Sequence, residues 1–286
     1  MTEEGILYVV GTPIGNLEDI TMRAIKTLKD VDAIICEDTK KSKILLEKYG
    51  INKPLFSYYK PKEKEKSEKI IEMLENGKKL ALITDAGTPL ISDPGAILIS
   101  ELHKKGIKVI AVPGPSSVTA ALSISGFSAD RFIFEGFLPK KKGEIEKRLK
   151  ELKHFSHTLV FFIPGRDLEK QLTFILHILG NRRICVAREL TKFYEEVKIG
   201  SIEQVLGSKI ELKGEFTVIV EGASTKNIEK EEKEDVFEIL KRKIKEGCSF
   251  KDVIKSKEFE GYKRNELYKM FQEVKDGKGK TKRDTL

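Results

Sequence analysis

LITDAGTPLISDPG, Leu82 to Gly95, is the stretch on which the fold turns. It leaves an apolar run, Leu80–Thr84, that reads as a buried strand. It then packs Gly87, Pro89, Pro94 and Gly95 between small polar residues. Glycine lets the backbone approach a ligand closely, and proline fixes the turn. A loop of this kind at the carboxyl end of a parallel strand is where open α/β sheets bind small molecules. Two further Gly/Pro clusters stand in the same context. GTPIGN, Gly11–Asn16, follows the strand candidate ILYVV, Ile6–Val10. PGPSS, Pro113–Ser117, follows IKVIAV, Ile107–Val112. Three such loops after three strands predict one composite site.

Working outward, strand candidates at Ile6–Val10, Val31–Cys36, Leu80–Thr84 and Ile107–Val112 alternate with helical patterns at Thr21–Lys29, Lys40–Tyr49, Lys66–Asn76 and Ala96–Lys105. That alternation predicts a doubly wound α/β domain over residues 1–112. A second α/β domain with a mixed sheet is expected over 113–224. Its strands are expected at Arg131–Phe137, Thr158–Ile163, Arg183–Ala187 and Phe216–Gly222, and its helices at Ser116–Ser125, Glu144–Lys153 and Leu168–Leu179. An antiparallel strand is expected around Glu195–Ile199. From Ser224 the composition changes. Residues 226–235 read as a linker or the charged start of a helix. Helical patterns follow at Val236–Lys245, Phe250–Lys255 and Asn265–Val274, so 225–286 reads as a helical appendage with a disordered tail.

Composition narrows the class. With 286 residues and 40% hydrophobic content the chain can bury a substantial core. No apolar run approaches the ~18 residues a membrane span needs. The acidic start, MTEEG, lacks the pattern of a signal peptide. Cys36, Cys185 and Cys248 are widely spaced, which favours buried thiols in a reducing cytoplasm over disulfides or zinc. The four histidines show no metal-ligand spacing, so no metal is expected. A net charge of +8 favours a polyanionic partner, although abundant Lys and Glu together also fit a surface laced with ion pairs.

The motifs carry the chemistry. GTPIGN lacks the spacing of the dinucleotide fingerprint and of the P-loop. In CEDTKKSKILL, Cys36–Leu46, Thr39 is a possible N-cap, and Lys40, Lys41 and Lys43 crowd the first helical turn. Cations there oppose the helix dipole, which points to phosphate contact; a solvated helix face is the plainer alternative. Lys140, Lys141 and Lys142 form a second basic loop. Tyr58 and Tyr59, set among lysines, could stack on unpaired bases. ARELTKFYEE, Ala187–Glu196, follows a strand; an ion pair between Arg188 and Glu189 would explain both residues.

Taken together, LYVVGTPIGNLEDIT, AIICEDTKKSKILL, LITDAGTPLISDPG, VPGPSSVTAAL and FEGFLPKK resemble the ribosomal RNA small-subunit methyltransferase I family of the tetrapyrrole methylase superfamily. The resemblance spans roughly residues 6–222. It implies two α/β domains with the cofactor cleft between them, a homodimer, and S-adenosylmethionine as cofactor. It also implies methylation of a cytidine ribose 2′-hydroxyl in the decoding region of 16S-type rRNA, on naked RNA or an assembled small subunit. Cofactor contacts carry over to Pro13, Ile14, Ala86, Gly87, Thr88, Ile91, Ser116, Ser117, Ile163, Leu190 and Phe216. Thr88 stands where the superfamily carries aspartate. A base for the hydroxyl is sought among Asp38 and Asp93, then Glu37. A methyltransferase of a corrin precursor or other small molecule, and a non-catalytic RNA-binding assembly protein, are the alternatives.

Overall fold

The strand Ile6–Val10 (β1) lies inside the site-bearing sheet, with a parallel neighbour on each side. In the computed structural model, which describes residues 4–59, 63–224, 236–259 and 262–276, β1 pairs in parallel with Lys79–Leu82 (β4) and with Lys108–Val112 (β5). Ala33–Cys36 (β2) lies on the far side of β4, and the short Leu55–Ser57 (β3) forms the edge, giving the order β3-β2-β4-β1-β5. All of these pairings are parallel. The sequence reading missed β3, since three residues are too few to show a period.

Parallel sheets are covered on both faces, and this one is. Ile34 and Cys36 face Ala24 and Leu28 of helix Met22–Asp30 (α1) and Leu45 and Leu46 of helix Thr39–Lys48 (α2). Ala33 and Ile35 face Ile70 and Leu74 of helix Glu63–Glu75 (α3) and Leu98 and Leu102 of helix Ala96–Lys104 (α4). The helix after β1 therefore covers one face and the helix after β4 the other. The two strands are neighbours, so their carboxyl ends form the crevice at which doubly wound sheets bind ligands.

The second sheet runs β6-β7-β10-β8-β9: Phe132–Phe137, Thr158–Pro164, Glu215–Val220, Arg183–Arg188 and Glu196–Ser201. Only β6 and β7 pair in parallel; the other pairings are antiparallel, including β8 with β9. One face packs on Lys142–Leu152 (α6), Leu168–Leu179 (α7) and Ile202–Leu206 (α8), and the other on Val118, Ala121 and Leu122 of Ser117–Ser125 (α5). A bulge between Phe134 and Gly136 shifts the register of β6, with Gly136 at φ 70°. An added Cβ there would lie 3.0 Å from Ser92 Oγ.

Both sheets belong to one compact unit that ends at Gly222. The remainder is a second unit in which residues 236–245, Phe250–Lys255 and Arg264–Lys275 are helical. Val236, Leu240, Val253, Leu267 and Phe271 form its own apolar cluster. The expected linker at 226–235 and most of the tail, from residue 277 on, lie outside the described residues, as do residues 1–3 at the start. No helix among the described residues is long and apolar enough to cross a membrane, and they contain no metal-ligating cluster.

Candidate functional site

The three Gly/Pro loops meet because β4, β1 and β5 are adjacent. Thr12 and Gly87 exchange backbone hydrogen bonds, N–H to O, of 2.8 and 3.1 Å. The Thr12 hydroxyl also donates to the Thr84 carbonyl at 3.1 Å. The backbones of Gly11 and Gly114 approach so closely that a Cβ on Gly11 would sit 2.8 Å from the Gly114 Cα. Any side chain there would part the loops after β1 and β5. Gly87 has φ 83°, where an L side chain is strained even with space available. Leu90 and Ser92 in the same loop also have positive φ, at 72° each.

The second sheet closes the other wall. The loop after β8 carries Glu189 and Thr191 at φ 48° and 66°. The Asn16 N–H donates to Thr191 Oγ1 at 2.9 Å, so this loop is tied directly to the loop after β1. A Cβ on Gly15 would lie 2.5 Å from Cγ of Lys192, so the contact has no slack.

A cleft of about 950 Å³ results. Every residue expected to contact a cofactor lines it: Pro13, Ile14, Ala86, Gly87, Thr88, Ile91, Ser116, Ser117, Ile163, Leu190 and Phe216. Ser116 is the N-cap of α5, so the amino end of that helix opens onto the cleft. Thr88 turns its hydroxyl to the Pro115 carbonyl at 3.3 Å, coupling the loops after β4 and β5.

Of the proposed bases, Asp93 and Glu37 line the cleft and Asp38 does not. Asp38 caps α2, accepting from the backbone N–H of Lys40 at 2.8 Å and of Lys41 at 3.4 Å. The cap is therefore Asp38, and Thr39 is the first helical residue. A carboxylate in that position stabilises the helix end and offsets the lysines that follow. Asp93 accepts the Thr84 hydroxyl at 2.7 Å.

Among the lysines expected to meet phosphate, only Lys41 lines the cleft, where its ammonium is 2.7 Å from Asp85. The Asp85 carboxylate, through its hydrogen bond and its charge, raises the Lys41 pKa. Lys43 pairs with Glu47, Lys141 with Glu144 and Lys142 with Glu146, all at an exposed surface where such pairs contribute at most about 1 kcal/mol. Lys40 and Lys140 are exposed. Tyr58 is buried beneath the first sheet with its hydroxyl 3.0 Å from Ser67 Oγ, which removes it from any base-stacking role. Lys66 lies 4.6 Å from the centre of the Tyr59 ring, and residues 60–62 of that basic stretch lie outside the described residues.

Sequence reasoning missed Asp85, Phe137, Phe162, Glu189 and Lys192, all of which line the cleft. The expected Arg188–Glu189 pair is replaced. Arg188 is buried, donates to the Lys213 carbonyl at 2.8 Å and lies 3.8 Å from Glu196. β8 ends at Arg188 and the chain turns at Glu189, at φ 48°, so the two side chains find separate partners. Glu189 instead accepts the Lys192 ammonium at 3.1 Å and the Glu215 N–H at 3.2 Å. Burial acts to raise its pKa, and these donors overcome burial, so it is lowered from the ordinary carboxylate range. The thiols of Cys36 and Cys185 are free and buried, and burial pushes that of Cys185 up to about 11.

Residues 6–206 match the family described as Tetrapyrrole (Corrin/Porphyrin) Methylases. A Thermotoga maritima protein named Ribosomal RNA small subunit methyltransferase I is 47% identical over 76% of this chain and 99% of its own length. The Bacillus subtilis protein of that name is 43% identical over 89% of both chains. The one from Mesorhizobium japonicum is 40% identical over 96% of this chain and 94% of its own. Among solved structures, diphthine synthase superposes with a TM-score of 0.60 at 15% identity, over 76% of this chain and 90% of its own. Uroporphyrin-III-C-methyltransferase from Thermus thermophilus gives 0.55 at 19% identity, over 76% and 94%. These two likenesses concern the fold.

Proposed function

This chain belongs to the ribosomal RNA small subunit methyltransferase I family of the tetrapyrrole methylases, and on that premise we propose that it transfers a methyl group from S-adenosylmethionine to a cytidine ribose 2′-hydroxyl in the decoding region of small-subunit rRNA. One observation carries the reading. Residues drawn from three loops of one sheet and from β7, β8 and β10 of the other converge on a single cleft.

The cleft suits the cofactor. Ile14, Ile163, Leu190 and Phe216 offer apolar surface for an adenine, and Gly87 leaves the backbone open beside them. Glu37 and Asp93 supply negative charge to a cationic guest, while Lys41 engages the Asp85 carboxylate. Bound there, S-adenosylmethionine supplies an electrophilic methyl group on a sulfonium. The protein's contribution is alignment, worth effective molarities of ~10⁵ M or more, and removal of the hydroxyl proton. For the base we favour Asp93, because its carboxylate lies in the cleft wall while that of Asp38 is engaged in a helix cap. A carboxylate oxygen there would take the 2′-hydroxyl proton as the hydroxyl oxygen accepts the methyl group and the sulfonium's S–CH3 bond breaks, leaving a neutral thioether. Thr84 holds Asp93 in place.

The RNA is held, in this reading, by the lysine-rich turn at Lys40, Lys41 and Lys43 and the loop at Lys140, Lys141 and Lys142. The protein acts as a cytoplasmic homodimer, on naked rRNA or the assembled subunit. The appendage over 225–286 assists docking. Ribose-methylation mapping of rRNA from cells with and without this gene tests the activity. A decoding-region cytidine that loses its methyl group supports it; an unchanged map, with methyl transfer to a corrin precursor instead, overturns it. A chain ended at Ala223 is expected to bind S-adenosylmethionine normally in calorimetry while its apparent KM for RNA rises.

A further inference from the structure

Phe193 and Tyr194 stand at the tip of the loop between β8 and β9, and they are 93% and 70% exposed. Single exposed apolar residues are ordinary. Two adjacent aromatic rings held largely in solvent need a reason, because each forgoes much of the burial that would stabilise the fold. The rings lie edge to face, 5.0 Å apart at 89°.

The loop beneath them is firmly built. The Thr191 N–H donates to the Glu195 carboxylate, the Lys192 N–H to the Glu189 carbonyl at 3.0 Å, and the Glu195 N–H to the Lys192 carbonyl at 3.1 Å. Strained backbone at Glu189 and Thr191 is held by these ties and by the bond from Asn16. Strain of this kind persists only where the surroundings over-determine it. Glu189, Leu190 and Lys192 of this loop line the cleft, so the aromatic tip is continuous with the cleft wall. The neighbouring carboxylates are engaged: Glu189 by Lys192, Glu195 by the Thr191 N–H, and Glu196 by Arg188 at 3.8 Å and Lys198 at 3.4 Å. The tip thus presents π-surface on a locally charge-balanced base, in a chain of net charge +8.

We infer that Phe193 and Tyr194 form a stacking platform for an unpaired RNA base next to the nucleotide whose ribose enters the cleft. The inference rests on the rRNA reading above and adds an interaction that none of the cofactor or lysine assignments supplies. Stacking on aromatic side chains is the usual way in which proteins hold splayed single-stranded bases.

The test is the full-length Phe193→Ala/Tyr194→Ala variant beside the conservative Phe193→Tyr/Tyr194→Phe exchange. The probes are a decoding-region RNA oligonucleotide carrying a 2-aminopurine base and methyl incorporation into small-subunit rRNA. The alanine variant is expected to lose RNA affinity by about 5- to 100-fold and to lose the fluorescence quenching of the stacked base. Its S-adenosylmethionine affinity and the slope of RNA binding against salt should not move, since every phosphate-binding side chain is retained. The conservative exchange should behave as wild type. Unimpaired RNA binding by the alanine variant, beside a wild type that methylates rRNA, overturns the platform alone. A dimeric wild type whose alanine variant sediments as a monomer also overturns it, by making the rings an interface between copies. A wild type that neither binds nor methylates rRNA overturns the parent reading together with this one.

Discussion

The loop over Asp85–Gly95 and the loop over Glu189–Glu195 face each other across one cleft and turn the chain by different means. The first uses Gly87 and Gly95 at φ 83° and 135°, and its strained Leu90 and Ser92 lie between prolines. The second has no glycine or proline at all, and places Glu189 and Thr191 in the left-handed region. There the conformation is maintained by side-chain ties: Lys192 and the Glu215 N–H on Glu189, and Asn16 on Thr191. One loop holds its shape through residue type, and the other through hydrogen-bond partners, some inside the loop and some, Asn16 and Glu215, from elsewhere in the chain. The first should therefore be sensitive to added bulk, and the second to removal of charge and to acid.

Gly87→Val tests the first half of that contrast and should give the largest effect. A β-branched residue at positive φ costs on the order of 1–3 kcal/mol, so S-adenosylmethionine binding should weaken by roughly 5- to 150-fold in calorimetry. Wild-type affinity with an intact fold would mean that the loop does not shape the cofactor site.

Glu189→Gln tests the second half. The folded pKa of Glu189 is lowered, so its ionised form stabilises the native state above the ordinary carboxylate range. That stabilisation is lost as pH falls through the lower, folded value. The variant should be about 1–2 kcal/mol less stable near neutral pH in urea unfolding, and the gap should close in acid. A gap that is constant with pH would show that the glutamate's charge does not hold the loop.

Changing Lys40, Lys41 and Lys43 together to alanine should leave stability within about 1 kcal/mol, since Lys41 and Lys43 reach their partners from largely exposed positions. The slope of RNA binding against salt should flatten by about one for each phosphate that these lysines neutralise in the wild type. An unchanged slope would return these lysines to a solvated helix face.

The same contrast explains what could be read in advance. Gly87, Gly95, Pro89 and Pro94 announce their backbone roles by residue type, so the first loop and the strands feeding it were legible. Doubly wound alternation was legible because Ile34 and Cys36 face one layer and Ala33 and Ile35 the other, leaving a wholly apolar strand. Glu189 and Asp85 were not legible as site residues, because the Glu215 N–H and the Lys41 ammonium that engage them lie 26 and 44 residues away, beyond any local period. Tyr58 misled for a related reason: its lysine-rich flanks suggested exposure, while the pairing of β2 with β3 carries the Tyr58 N–H to the Cys36 carbonyl and buries the ring. The cap at Asp38 was misassigned by one residue, the usual uncertainty at a helix end.

The mutual tie of Thr12 and Gly87 also bears on how the protein is made. As the chain emerges from its amino end, Ile6 has no sheet partner until Lys79 and then Lys108 arrive. The loop after β1 thus emerges early and stays without its binding partners through much of the synthesis of the first sheet. Such long-range closure is slow compared with local helix formation. The cleft exists only once β4, β1 and β5 have come together, so the ability to bind a ligand there reports their pairing.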